Sequence, residues 1–164
     1  MSENYIVING KRAELTEEQM KVLGIKVKKN PFDRDGSNNR CYYTIVGGDV
    51  LRRVDINDRT DRMSYNAVNY FNDGKFAEQV DLHQLLYRKL LKFAYDNGFE
   101  DTAEWDGNNS HWAIRYNDNL NKFDSYCQNS YKARDVYFST EEGAERAIKE
   151  VVKPFMKEHP EFVW

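Results

Sequence analysis

Cysteine, proline and glycine are all scarce in this chain, at 2, 3 and 9 residues. No repeat or low-complexity segment stands out. The two cysteines, Cys41 and Cys127, lie far apart in strand-like stretches. In a reducing cytosol they read as partly buried free thiols, although two residues always leave one disulfide pairing open. The three histidines, His83, His111 and His159, are scattered. None has a Cys or His neighbour at metal-ligand spacing, so no metal site is expected. No apolar run approaches the roughly 18 residues of a membrane span, and no charged segment leads into an apolar one at the N-terminus. An excess of one charge is also lacking. Lys plus Arg is 24 and Asp plus Glu is 27, a formal net charge of −3. Near balance argues against both a strongly basic nucleic-acid binder and an acidic imitation of DNA. What the chain does have is aromatics, 14% of its 164 residues, with 11 Tyr, 9 Phe and 3 Trp. That content points to a folded protein, not a disordered tail. The resulting expectation is a soluble, intracellular globular protein.

Local signals along the chain predict an α+β fold. Residues 5–15 read as a hairpin about Asn9-Gly10, the dipeptide that supplies φ > 0 at both centres of a type I′ turn. Thr16-Glu17-Glu18-Gln19 has capping-box spacing, and the short helix it opens should stop near Gly24. Residues 1–24 form an N-terminal ββα appendage, residues 25–31 a Lys-rich connector, and residues 32–164 the main domain. Residues 41–46 and 49–55 read as paired strands about Gly47-Gly48, and residues 56–63 as an exposed polar loop. Residues 64–71 are ambiguous between a short strand and an irregular segment. Residues 73–97 are the strongest helix, with Phe76, Val80, His83, Tyr87, Leu90 and Ala94 on its apolar stripe and Asp81 opposite. Residues 100–138 read as a three-strand antiparallel meander whose third strand is 134–138. Its alternation places Trp112, Ile114 and Tyr116 on one face and His111 exposed on the other. Ser139 to Glu142 again has capping-box spacing before a C-terminal helix that Pro154 should kink or interrupt. The apolar tail around Phe162 and Trp164 should dock. The expected architecture is therefore hairpins and a meander packed on one long central helix and a C-terminal helix.

Chemistry is harder to place. Asp33-x-Asp35-Gly36 lacks the later ligands of a calcium loop and reads as a solvated turn. Gly47-Gly48 has no lysine or helix start behind it, so it is a turn and not a phosphate loop. No G-x-S-x-G, H-E-x-x-H or Walker pattern occurs. His83 is expected as a buried histidine held by backbone or tyrosine, in preference to a general base. No catalytic residue and no cofactor is assigned. The candidate binding residues are Arg52, Arg53, Arg59 and Arg62, on one hairpin strand and the segment after it, with Tyr42, Tyr116 and Tyr126 on strands. Asp49, Asp55, Asp58 and Asp61 lie among those arginines, so a solvated, salt-bridged loop is the favoured reading of them. Tyr42 and Tyr43 are adjacent and must face opposite sides of a strand, which should leave some ring area exposed for recognition. Charge is also uneven. Residues 1–40 carry 8 basic and 6 acidic side chains, whereas residues 99–139 carry 4 and 7.

Several phrases together carry a resemblance. They are Ile8-Asn9-Gly10-Lys11, Leu15-Thr16-Glu17-Glu18-Gln19, Asn30-Pro31-Phe32, Leu82-His83-Gln84-Leu85-Leu86, Val136-Tyr137-Phe138, and the ending from Val152-Lys153-Pro154-Phe155-Met156 to His159-Pro160-Glu161-Phe162-Val163-Trp164. The chain resembles, over essentially its whole length, small phage and prophage proteins of gut Firmicutes. The resemblance implies a mobile-element origin and the host bacterial cytoplasm. It carries no catalytic residues. The expectation is a non-enzymatic phage accessory protein that binds a host or defence-system protein, for example an anti-CRISPR inhibitor of an effector nuclease. The alternatives are a nucleic-acid-binding protein, using Lys26, Lys28 and Lys29 with the arginines, and a small nucleotide-binding or sequestering protein.

Overall fold

The computed structural model describes residues 5–8, 10–24, 30–34, 39–99 and 105–164. Its elements run β1 (Tyr5–Ile8), β2 (Lys11–Glu14), α1 (Glu17–Val22), β3 (Arg40–Val46), β4 (Asp49–Asp55), α2 (Arg59–Asn66), α3 (Gly74–Asp96), β5 (His111–Asn117), β6 (Lys122–Gln128), α4 (Glu141–Ala147), a π-helical turn (Ile148–Val152) and α5 (Lys153–Glu158). The strands form three antiparallel two-stranded sheets, β1–β2, β3–β4 and β5–β6. The fold is α+β, as the alternation of hairpins and helices predicts.

The appendage forms as its turn and cap chemistry dictate. Ile8 pairs with Lys11 across the turn, and Gly10 has φ 76°. Thr16 and Gln19 make a reciprocal capping box at α1, which Gly24 closes at φ 68°. The connector lysines Lys26, Lys28 and Lys29, and Asp35-Gly36, lie outside the described residues. Residues 30–34 lie on the body. The Asn72 amide N–H donates to Pro31 O at 2.8 Å, and the Phe32 ring is 5.3 Å from both Phe71 and Phe76.

The helix α3 spans 23 residues between an Asp73 cap and the Asn97-Gly98 stop, as expected. Its buried stripe is rotated from the expected one. Ala77, Asp81, Leu82, Leu86, Leu90 and Ala94 are buried, whereas His83 and Tyr87 are exposed. The periodicity sets a helix but not which side neighbours cover. Here α3 packs on β3 and β4 near one end and on α4 and the π turn further along, so its covered arc is wide. The main core joins Leu82, Leu86 and Leu90 to Ala113, Ile114, Phe138, Ala144, Ala147, Val152, Phe155 and Phe162.

Three local expectations are corrected. The polar stretch after β4 is not a loop throughout: Asp58 caps α2, with Asp61 in a reciprocal capping box. The third strand of the meander reduces to one antiparallel bridge, Trp112 to Phe138, closed by hydrogen bonds of 3.1 and 2.7 Å. The C-terminal helix is capped by Thr140, not Ser139, through a 3.0 Å bond from the Gly143 amide. Pro154 does interrupt that helix, but by a π turn. Lys153 N–H reaches Ile148 O, an i to i−5 bond, and Pro154 sits in the first turn of α5, where its missing donor does least harm.

The tail docks. Phe162 is 4% exposed, and the Gln79 side chain donates to Glu161 O at 2.8 Å and accepts from the Val163 amide at 3.0 Å. No described helix is long and apolar enough to cross a membrane.

Candidate binding surfaces

Register decides what the β3–β4 hairpin can present. Tyr42 pairs with Arg53 and Tyr43 with Arg52, so Arg52 and Arg53 point to opposite faces. The face of Arg53 is also the face of α2, because Tyr42 on it reaches Asp61. Arg53, Arg59 and Arg62 are all exposed on this side. Arg62 donates to Asn57 O at 2.6 Å. Arg52 is exposed on the far face, with its Nη2 2.8 Å from Cys41 Sγ. Exposed apolar side chains lie on the same elements: Leu51 and Val54 on β4, Ile56 after it, Met63 and Tyr65 on α2.

Tyr42 is a correction. It is fully buried and contributes no recognition surface. Its ring stacks on Tyr70 at 4.2 Å, and its hydroxyl donates to Asp61 at 2.9 Å. Burial first, and the bond to Asp61 second, push the Tyr42 pKa up.

Beside it lies a buried polar network. Arg34 grips Asp55 through two bonds of 2.7 and 2.8 Å, and Tyr70 donates to the same carboxylate at 3.0 Å. Asp61 accepts from the Ile56 and Asp58 amides at 2.9 and 3.0 Å. Both carboxylates are 3% exposed. Their work is structural: they tie residue 34, β4 and α2 together. The one sequence signal for α2 was the Asp58-x-x-Asp61 spacing at a helix start. Arg34 had no signal, since its partner is distant in sequence.

Tyr116 and Tyr126 do not join the arginines. Both are half-buried on the other hairpin, β5–β6. Tyr116 opposes Phe123 and Tyr126 opposes Ala113, which puts the two tyrosines on opposite faces. The Tyr116 hydroxyl bonds Asn121, and its ring meets Phe123 edge-on at 5.1 Å. The Tyr126 hydroxyl donates to Asp135 at 2.9 Å. Burial, aided by Asp135, pushes its pKa up to about 12. His111, expected exposed, is 3% exposed and stacks on Trp105 at 3.7 Å. Trp105, before the hairpin, and Tyr137, after it, cover His111, which alternation within a strand cannot foresee.

Along α3 lies a cleft of about 370 Å³ between this helix, β5, residues 134–138 and the tail. Leu86, Leu90, Ile114 and Phe138 line its apolar part, and His83, Arg134, Asp135 and Trp164 its polar rim. His83 is therefore not the buried, hydrogen-bonded histidine expected. It is exposed, with its ring 4.6 Å from that of Phe162. The tail covers its stripe only in part. Among the described residues, Cys41 and Cys127 are free thiols, and no group of three or more His, Cys, Asp or Glu is placed to hold a metal ion.

No protein-family model, no curated protein and no solved structure gives a significant match to the chain.

Proposed function

We propose that this chain is a non-enzymatic phage accessory protein that acts in the host bacterial cytoplasm by binding a host macromolecule. Inhibition of a defence effector nuclease, as by an anti-CRISPR protein, is the specific case to test. The observation that carries the reading is the exposed face shared by β4 and α2. It sets Arg53, Arg59 and Arg62 among Leu51, Ile56, Met63 and Tyr65, all of them exposed. Arginine interleaved with apolar and aromatic side chains is the composition of energetically dominant protein–protein contacts. The resemblance to phage proteins supplies the context.

Capture from phage-infected host cells, with wild type beside an Arg53→Ala, Arg59→Ala, Arg62→Ala triple variant, tests this reading. A partner held by wild type and lost by the folded variant is expected. The same pair belongs in a DNA-cleavage assay of the recovered effector. Folded wild type that recovers no stable partner would sink the proposal, and inhibition by the folded triple variant equal to that of wild type would remove this face from it. A mobility shift with DNA or RNA that fades steeply with salt would move the reading to nucleic-acid binding.

A further inference from the structure

The cleft along α3 is unrelated to the arginine face and has its own chemistry. Its wall is made of core residues: Leu86, Leu90, Ile114 and Phe138 are each under 10% exposed. An opening that reaches the core this way offers dry, apolar surface to whatever enters. Its charged rim is asymmetric. The acid, Asp135, keeps its charge but is held in place, because one of its oxygens accepts the Tyr126 hydroxyl at 2.9 Å. The adjacent Arg134 is exposed and has no hydrogen bond or ion pair among the described residues. A second depression, of about 480 Å³, shares Tyr87, Arg134, Asp135 and Val136 with the first. Arg134 thus stands where the two meet, with its guanidinium donors unspent.

The geometry points to a binding site for a small amphipathic anion, an alkyl or aryl carboxylate. The apolar body occupies the cleft between α3 and β5, and the carboxylate pairs with Arg134 at its mouth. Volume agrees: about 370 Å³ lies at the small end of the roughly 300–1,000 Å³ typical of ligand sites. A planar guanidinium with free donors matches a carboxylate in bidentate fashion. The Trp164 and Phe162 rings close the side of the cleft towards the tail and shield the body from water.

Three eight-carbon probes that differ only in the head group test this. Octanoate, 1-octanol and octylamine are titrated into the full chain and followed by two-dimensional amide NMR. Shifts at Ile114, Val136 and Phe162 are expected, with octanoate binding about tenfold more tightly than octanol, the worth of one charge-assisted contact at a half-exposed site. Arg134→Gln, a change at an exposed side chain, should abolish that advantage and leave octanol affinity unaltered. Absence of shifts at the cleft residues with every probe overturns the site. Equal binding of octanoate and octanol, or tightest binding of octylamine, overturns its preference for an anion.

Discussion

Asp55 accepts hydrogen bonds from Arg34, Tyr70 and the Asn57 amide while 3% exposed. The Arg34 bond above all, with the Asn57 and Tyr70 bonds, holds its carboxyl well below the ordinary 3.8, against the opposing effect of burial. A carboxyl depressed in the folded state stabilises fully above its unfolded pKa, and that stability drains away as pH falls through the folded value. Asp55→Asn should therefore cost about 3 kcal/mol at pH 7, since it strands Arg34. The gap between wild type and variant should narrow at pH 3 and below. Urea denaturation at both pH values measures it, and a gap that stays constant would show that the pair is not what Asp55 contributes. Tyr42 teaches the same lesson at the same scale. Its place on a strand was legible, because hydrophobic and β-branched neighbours on either side of Gly47-Gly48 define the hairpin. Its exposure was not, because the polar residues 56–63 read as loop in sequence and offer nothing to cover that face.

Among the elements, α2 is the one hidden in sequence and the one with visible backbone strain. It ends in a reversal where the Asn69 amide bonds Ser64 O at 2.9 Å and Val68 takes φ 54°. A β-branched side chain in the left-handed region costs energy that glycine avoids. Val68 is 63% exposed, so its side chain offers little packing in return. What the turn secures is Asn69, whose side chain pairs with both Ile45 N and Ile45 O, at 2.8 and 2.9 Å, and so covers the outer edge of β3. Val68→Gly should raise stability by about 1 kcal/mol, the strain relieved outweighing the added freedom of the unfolded chain. Thermal denaturation checks it, and a lower melting temperature would mean that Val68 packs on something that its exposure conceals. The other elements were legible to the extent that their ends were. The boundaries at Gly10, Thr16, Gly47-Gly48, Asp73 and Gly98 all fall where turn and cap chemistry place them. The segment 134–138 shows the limit. It has strand-forming residues, but a strand needs a partner along its length, and β5 bonds it only through Trp112.

For the molecule as a whole, the tail is a long-range tie across the α3 face. Phe162 packs edge-on to Phe155 at 5.3 Å and close to His83, and Gln79 clasps the backbone on both sides of it. Phe162→Ala should cost about 3–4 kcal/mol, the range for emptying an aromatic core site. It should also widen the cleft, so that a hydrophobic dye binds the folded variant more than wild type. A loss below about 1 kcal/mol in urea denaturation would show that the tail is only loosely seated. The arginine face and the cleft are built by different elements, the first by β4 and α2, the second by α3, β5 and the tail. Substitutions in one should leave binding at the other intact.

Sequence alone determined the α+β class, the first two hairpins, the pairing of β5 with β6, the long central helix and the docking of the tail. These rest on local chemistry: turn residues with φ > 0, capping side chains, and apolar residues too numerous to leave in water. It also singled out Arg52, Arg53, Arg59 and Arg62, all of which are exposed. Only the tertiary structure decided which faces are covered. It buried Tyr42 and His111, exposed His83, turned Arg52 away from its neighbour and joined Arg34 to Asp55. It also left Arg134 without a hydrogen bond or ion pair among the described residues, at the mouth of an apolar cleft. Each of these depends on what packs against an element from elsewhere in the chain. Periodicity shows that a face exists, and only the partner across it settles whether water or protein meets that face.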